Sequence, residues 1–142
     1  MSLEMGNATV INDIERIRMV GSAFHKTGRP VAFVPLTNGV HAGHIALVRA
    51  AKHIRGAVTV VALQSPHEED LELLRAEGVD IVWNYSTETL WPHGRRIAAA
   101  PVDAATALEP DLSEDLSLYL ALILSLSPTD VLLGEKDYEL LL

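Results

Sequence analysis

Two histidines, His41 and His44, are separated by two residues, the second of which is Gly43. They follow a short apolar run at residues 31–34 and precede an amphipathic run at residues 45–52. This order is typical of a strand, a turn and a helix. The two imidazoles are therefore predicted to lie where a helix begins, a place that favours phosphate through unpaired N–H groups and a partial positive charge.

The types of these residues suit contact with the phosphates of a nucleotide. An imidazole can donate a hydrogen bond to a phosphate oxygen, and a glycine lets a ligand come close to the backbone. Two other interpretations stay open, because short motifs also occur by chance. The segment could be a solvated surface turn, or the histidines, one helical turn apart, could bind a metal. The metal is disfavoured because the chain has no cysteine and no obvious third ligand nearby.

A second candidate segment lies near the end of the chain. Asp130 and the apolar residues 131–133 run into Gly134, and the charged cluster that follows includes Lys136 and Asp137. The carboxyl ends of parallel strands open on one edge of a sheet, where ligands of open α/β sheets bind. Lys136 could then face the phosphates that the two histidines approach, although a solvated lysine is the ordinary interpretation of this residue taken alone.

Strands and helices are predicted to alternate along the chain. Apolar runs predict strands at residues 31–36, 57–63, 79–84 and 131–133. Periodic segments predict helices at residues 12–26, 43–54, 66–77 and from about 137. Asn12 and Glu15 form a plausible capping box for the first helix. Residues 95–112 are predicted as a loop with a minor strand at 97–102, after a short helix at 87–90.

The leucine-rich stretch at residues 116–126 is ambiguous. Its leucines recur with period two, as in a strand, yet β-branched residues are nearly absent, and leucine and alanine favour helix. Residues 113–115, Ser-Glu-Asp, also suit a helix start. We predict a helix that is buried on most sides. It is too short to span a bilayer, so no membrane association is expected.

The alternation of elements predicts an α/β fold with a parallel sheet. A length of 142 residues predicts a single domain. A net charge of −8 argues against a nucleic-acid partner, which would need a basic surface. The absence of cysteine and of a secretory signal in the given sequence fits a cytoplasmic protein.

Several segments together resemble the pantothenate synthetase (pantoate–β-alanine ligase) family, nucleotidyltransferases with a His-x-Gly-His signature. The matching segments occur in the family's order and lie at residues 27–29, 34–35, 41–44, 47–51, 74–80, 91–94 and 134–138. The Gly-Glu-Lys-Asp-Tyr run at 134–138 is the specific one, since His-x-Gly-His is shared by several families.

The resemblance implies a Rossmann-like nucleotide-binding core and an ATP-dependent ligase of pantothenate biosynthesis. ATP and pantoate would give pantoyl adenylate and pyrophosphate, and β-alanine would then attack the adenylate. Mg²⁺ would accompany the ATP. The residues that the resemblance implies as catalytic are His44 as proton donor, His41 and Lys136. Those that it implies for nucleotide binding are Pro35, Gly43, Gly134, Lys136 and Asp137.

The chain also departs from the family. The family's Pro-Thr-Met-Gly stretch is Pro35-Leu36-Thr37-Asn38 here, and the segment after the second predicted strand is shortened, so Gln64 is not equated with the first pantoate-binding glutamine. Leu140 stands at the position of the second. We expect the family's C-terminal lid domain to be absent. The apolar end at residues 139–142 suggests a truncated chain, a reduced protein, or an end that a partner buries, and a homodimer is one arrangement that would supply such a partner.

Two alternatives to the ligase stay open. One is a degenerate nucleotide-binding module that no longer makes pantothenate. The other is a related nucleotidyltransferase with a different substrate.

Overall fold

The computed structural model of the chain describes residues 5–37, 39–86 and 110–133, with side chains from residue 118 onward in the last range. Its elements in chain order are β1 (Thr9–Ile11), α1 (Ile14–Lys26), β2 (Val31–Pro35), α2 (Ala42–Lys52), β3 (Val58–Gln64), α3 (Glu68–Ala76), β4 (Ile81–Tyr85), α4 (Pro110–Leu126) and β5 (Asp130–Val131). The predicted α/β class is confirmed.

In the described part of the chain, five parallel strands form one sheet in the order β1-β4-β3-β2-β5. From β2 the chain moves outward through β3 to β4, and it then returns to the other side of β2 as β5. The direction of winding therefore reverses between β2 and β5. In open α/β sheets such a reversal is the topological switch point, and ligands bind outside the carboxyl ends of the strands there.

Both faces of the sheet are covered, which explains why β2 and β3 are almost wholly apolar. One core cluster joins alternate strand residues such as Phe33 and Trp83 to Ile17 of α1 and Leu122 of α4. The other joins the intervening strand residues, Val34 among them, to α2 and α3. The loops at the strand ends therefore rest on a core that is packed from both sides.

The first helix begins one residue later than its predicted capping box. Asp13 is its N-cap, and the Asp13 carboxylate accepts from the Glu15 N–H at 3.0 Å. Asn12 is engaged elsewhere, because its Oδ1 accepts from Asn84 Nδ2 at 2.8 Å. The prediction of Asn12 as the cap is therefore wrong. The end of α1 is as predicted, with Gly28 just beyond it at φ +71°.

The structure also contains a strand that the sequence pattern did not predict. β1 has only three residues, too few for an alternating pattern, and it forms an edge of the sheet by pairing with β4. The Asp80 carboxylate holds the segment before β1 to the sheet. Its Oδ1 accepts from the Gly6 N–H at 2.8 Å, and its Oδ2 accepts from the Thr59 N–H of β3 at 2.9 Å.

The helical interpretation of the leucine-rich stretch is confirmed. Leu118, Leu122 and Leu126 are buried, whereas Leu124 is 65% exposed, a spacing that fits a helix rather than a strand. The helix begins at Pro110, so the predicted loop through residue 112 is wrong at its end. Proline is tolerated in the first turn, where its missing N–H costs no helical bond.

Smaller differences concern element ends. The third predicted helix begins at Glu68 rather than Pro66, and β5 is Asp130–Val131 rather than residues 131–133. The elements predicted at residues 87–90, 97–102 and from 137 lie outside the described residues. Among the helices that the structure describes, none combines the length and apolar character needed to cross a membrane.

Candidate functional site

The candidate site begins where β2 ends. Pro35 is buried and pairs with Ala62 of β3 as the last residue of the strand. Beyond it the chain stays attached to β3, because the Leu36 N–H donates to the Ala62 carbonyl and the Gln64 N–H donates to the Thr37 carbonyl, each at 2.9 Å. The start of the β2–α2 loop is therefore held to the sheet.

The two histidines cap helix α2 themselves. His41 is the N-cap, with extended backbone angles, and its Nδ1 accepts from the Gly43 N–H at 3.2 Å. His44 reaches back, and its Nδ1 accepts from the His41 N–H at 3.3 Å. This is the reciprocal arrangement of a capping box, made by imidazoles where Ser or Thr and Glu or Gln are usual.

This hydrogen bonding assigns the protons of the two rings. Because both Nδ1 atoms accept from backbone N–H groups, the proton of each neutral ring lies on Nε2. The rings stack with their centroids 3.5 Å apart and their planes 26° from parallel. The stacked pair therefore carries two Nε2–H donors at the start of a helix, the chemistry expected of a phosphate-binding site.

Gly43 has a structural role beyond the predicted one of admitting a ligand. A Cβ at this position would lie 3.1 Å from Cε1 and 3.3 Å from Nδ1 of His41. Such contacts are tighter than usual, so the His41 imidazole would have to shift by a few tenths of an ångström to admit a side chain at position 43. Glycine there lets the ring lie over the first turn of α2 without that shift.

A buried carboxylate supports the loop that leads to His41. Asp70 of α3 is only 8% exposed. Its Oδ1 accepts from the Val40 N–H at 3.2 Å and its Oδ2 from the His67 N–H at 3.0 Å. Asp70 does not stand out in the sequence, where it is the last of three consecutive acidic residues. Its place as the third residue of a helix was the available signal.

The second candidate segment follows the neighbouring strand. β5 pairs with β2 in the register Ala32↔Asp130 and Phe33↔Val131, and the Leu132 N–H donates to the Phe33 carbonyl at 2.9 Å. The prediction that the two strands end on one edge is confirmed by this pairing. The structure brings His41, His44, Gly43 and Pro35 to that edge. Gly134, Lys136 and Asp137 lie outside the described residues, and their roles stay predictions.

The loop that follows β3 at the same edge of the sheet is short. β3 ends at Gln64 and α3 begins at Glu68, so three residues connect them. Ser65 has φ +50°, and its N–H donates to Asn84 Oδ1 at 3.1 Å. Gln64 is half-buried at the same edge as the histidines. Within the ranges that the structure describes, no group of three or more His, Cys, Asp or Glu side chains could hold a metal.

Comparison with known proteins gives consistent matches. Residues 9–64 match the family model for pantoate-beta-alanine ligase. A pantothenate synthetase of Corynebacterium jeikeium is 34% identical over an alignment that includes 100% of this chain and 53% of that protein. One from Mycobacterium tuberculosis is 35% identical, with 84% of this chain and 46% of that protein covered. The chain spans about half the length of these relatives.

A solved structure agrees with the fold. The crystal structure of a pantoate-beta-alanine ligase from Francisella tularensis, complexed with beta-gamma ATP and beta-alanine, superposes with a TM-score of 0.79 at 25% identity. It covers 94% of this chain and 59% of that one. The family match includes β2, the histidine turn and β3, and both the sequence and the fold agree beyond it, so the chain belongs to the pantoate–β-alanine ligase family.

Proposed function

We propose that the chain binds ATP at the edge where β2 and β5 end, and that this edge serves the ATP-dependent ligation of pantoate and β-alanine. The observation that carries the proposal is the stacked pair of His41 and His44 at the start of α2, beside the switch point of the sheet. The solved relative from Francisella tularensis, which holds an ATP-type ligand and β-alanine, supports it.

In this proposal the imidazoles contact the phosphates through Nε2–H. His44 is the proton donor, His41 a second phosphate contact, and Gly43 and Pro35 shape the nucleotide side of the edge. Lys136 would neutralise charge in the transition state, since it follows β5 closely in the sequence. Gly134 and Asp137 would complete the nucleotide site from the same segment.

The chemistry needs positioning more than covalent help from the protein. A carboxylate oxygen of pantoate attacks the α-phosphorus of ATP, and the bond from that phosphorus to the pyrophosphate oxygen breaks. Donors aimed at the phosphates stabilise the charge that develops on the leaving group. The amine of β-alanine then attacks the acyl carbon of the adenylate, AMP leaves with the electron pair of the acyl–oxygen bond, and the nitrogen releases one proton to solvent as the amide forms.

Mg²⁺ is expected with ATP, but the described part of the site does not fit an ion held by the protein. The groups it presents are imidazoles and backbone N–H groups, whereas Mg²⁺ prefers oxygen ligands. The nearby Asp70 carboxylate already accepts two N–H groups. We therefore propose that Mg²⁺ enters with the nucleotide phosphates.

One observation favours the alternative of a different acid or of a module that binds without ligating. Only residues 65–67 separate β3 from α3, so the β3–α3 loop is too short to surround much of a bound pantoate. A site built to hydrogen-bond a substrate hydroxyl rejects an analogue without that hydroxyl by a factor of about 10⁴, and a site without those polar partners loses this discrimination. Under these alternatives, pantoate-dependent turnover from this chain alone should be weak or absent.

Calorimetric titration with Mg-ATP tests the nucleotide site, with His53→Ala as a matched control. His53 caps the opposite end of α2. The parent and His53→Ala should bind alike, and His44→Ala should bind at least about tenfold more weakly while staying folded. No heat and no thermal shift with the parent would overturn the proposal. If His44→Ala binds ATP as tightly as the parent, His44 does not contact the phosphates.

A pyrophosphate-release assay with pantoate, β-alanine and Mg-ATP then separates the ligase from its alternatives. Pantoate-dependent release supports ligation and shows that another group replaces the family's glutamines. ATP binding without such release supports the alternatives.

We also propose that residues 1–142 fold as one domain, which limited proteolysis would test. The homodimer is a further proposal, and sedimentation would report it.

A further inference from the structure

The Asp70 carboxylate connects two loops on the candidate edge. It lies in the first turn of α3 and is more than nine-tenths buried. One oxygen accepts from the N–H of His67, the residue that caps α3, and the other accepts from the N–H of Val40 in the β2–α2 loop. Capping α3 requires only the first of these bonds. The second bond, between residues 30 apart in sequence, serves the other loop.

The position of Val40 gives that second bond its importance. Val40 directly precedes His41, and it packs against the core cluster that includes Val34 and Leu74. Gly39, just before it, has φ +66°, which lets the chain turn toward α2. The carboxylate therefore fixes the peptide that enters His41, and the direction of this peptide sets where the His41 ring lies.

The burial of the Asp70 carboxylate indicates that it does more than cap α3. A buried carboxylate is costly unless it is hydrogen-bonded. Here two N–H donors and the positive end of α3 offset that cost. Neighbouring Glu68 and Glu69 occupy the same helix end and are exposed, so the charge requirement of the helix start is met without burying Asp70.

We propose that Asp70 is a positioning residue for the stacked histidines, acting through the Val40 N–H. The same carboxylate links the β3–α3 loop, which would face the bound acid, to the β2–α2 loop, which would face the phosphates. The contact is a property of the fold, and only its effect on ATP rests on the proposed function.

Three variants separate positioning from a merely structural role. Asp70→Ala removes both acceptors. Asp70→Asn keeps the shape and one acceptor oxygen. Glu69→Ala is the matched control, since it removes one negative charge from the same turn without touching either loop. The readouts are the ¹⁵N signals of the His41 and His44 rings, hydrogen exchange of the Val40 amide, thermal stability, and calorimetric ATP affinity.

Asp70→Ala should speed exchange at Val40, move the imidazole signals, and weaken ATP binding about tenfold. Asp70→Asn should move the same signals less, and Glu69→Ala should match the parent in every readout. Lower thermal stability with unchanged ring signals and unchanged ATP affinity would show that Asp70 only holds α3, and would overturn the proposal.

Two further outcomes are also decisive. If Asp70→Ala does not fold, Asp70→Asn decides, because its amide nitrogen must face one of the two N–H donors. Ring signals identical to the parent's in that variant would again overturn the proposal. If the parent fails to bind ATP, the proposed function falls, while the ring signals and the Val40 exchange still test the positioning role.

Discussion

The phenolic hydroxyl of Tyr85 donates to the carbonyl oxygen of Leu36 at 2.8 Å, and both residues are buried. Tyr85 ends β4 and Leu36 follows β2, so the bond reaches past β3, which lies between them. The first residue of the β2–α2 loop is thereby fixed from two strands away. With Asp70, a second long-range bond acts on the same loop.

Replacing Tyr85 with Phe should destabilise the chain by about 1–2 kcal/mol, because a buried carbonyl loses its donor. Urea unfolding followed by tryptophan fluorescence would measure the change, since Trp83 lies beside Tyr85. Met19→Ala, at a residue that is 60% exposed, is the control and should have little effect. Equal stability of Tyr85→Phe and the parent would show that the bond contributes nothing.

Replacing Gly43 with Ala should weaken ATP binding without unfolding the chain. The new Cβ would lie 3.1 Å from the His41 ring and shift it by a few tenths of an ångström, while alanine favours the helix by about 1 kcal/mol relative to glycine. Calorimetry and thermal unfolding would report the two effects. The control is Ala46→Gly at an exposed position of the same helix, which should lower stability and leave ATP binding unchanged. Full ATP affinity in Gly43→Ala would contradict the predicted importance of the ring position.

Replacing Gly21 with Ala should destabilise the packing of α1 against α4. Gly21 is buried, and a Cβ there would overlap the carbonyl oxygen of Leu126. Overpacking of this kind costs about 1–3 kcal/mol, which exceeds the gain in helix propensity. Ser22→Ala, at the exposed neighbouring position, is the matched control and should not destabilise. A Gly21→Ala chain as stable as the parent would mean that the two helices can move apart freely.

The pair Arg49–Glu77 should make stability depend on pH in acid. Arg49 donates to Glu77 from Nη2 at 2.8 Å and from Nε at 3.1 Å, and this hydrogen bonding lowers the pKa of Glu77. A lowered pKa in the folded state stabilises the fold above the ordinary pKa of glutamate, about 4.3, and this contribution is lost as the pH falls through the folded-state value.

Urea unfolding of the parent and of Glu77→Gln measures this contribution. The parent should be the more stable near neutral pH, and the difference should vanish in acid. High salt should also reduce it, because the pair lies at the protein surface, with the Arg49 side chain exposed. A difference that grew toward low pH would contradict the sign of the predicted dependence.

Much of the fold follows from local sequence signals. The apolar runs predicted β2 and β3, and the periodic segment at residues 12–26 predicted α1, because each of these elements has a period or a composition of its own. β1 could not be predicted in this way. Three residues carry no period, and this strand exists because β4 offers it an edge and Asp80 fixes its approach.

The candidate site likewise contains residues that local sequence signals could predict and residues that they could not. His41, His44 and Gly43 form a compact motif, and their place at a helix start could be inferred from the neighbouring segments. Asp70 and Tyr85 contribute through contacts across 30 and 49 positions of the chain. No local pattern contains such distances, since they depend on the order of the strands in the sheet.

The imidazole cap on α2 changes what an incoming anion would gain. The N–H groups of Gly43 and His41 already have acceptors in the two rings. A phosphate oxygen that reached either group would replace a ring nitrogen, so the net gain is the difference between two acceptors. Such an exchange favours modest affinity with rapid release, because the departing anion leaves behind donors that the rings can occupy again at once.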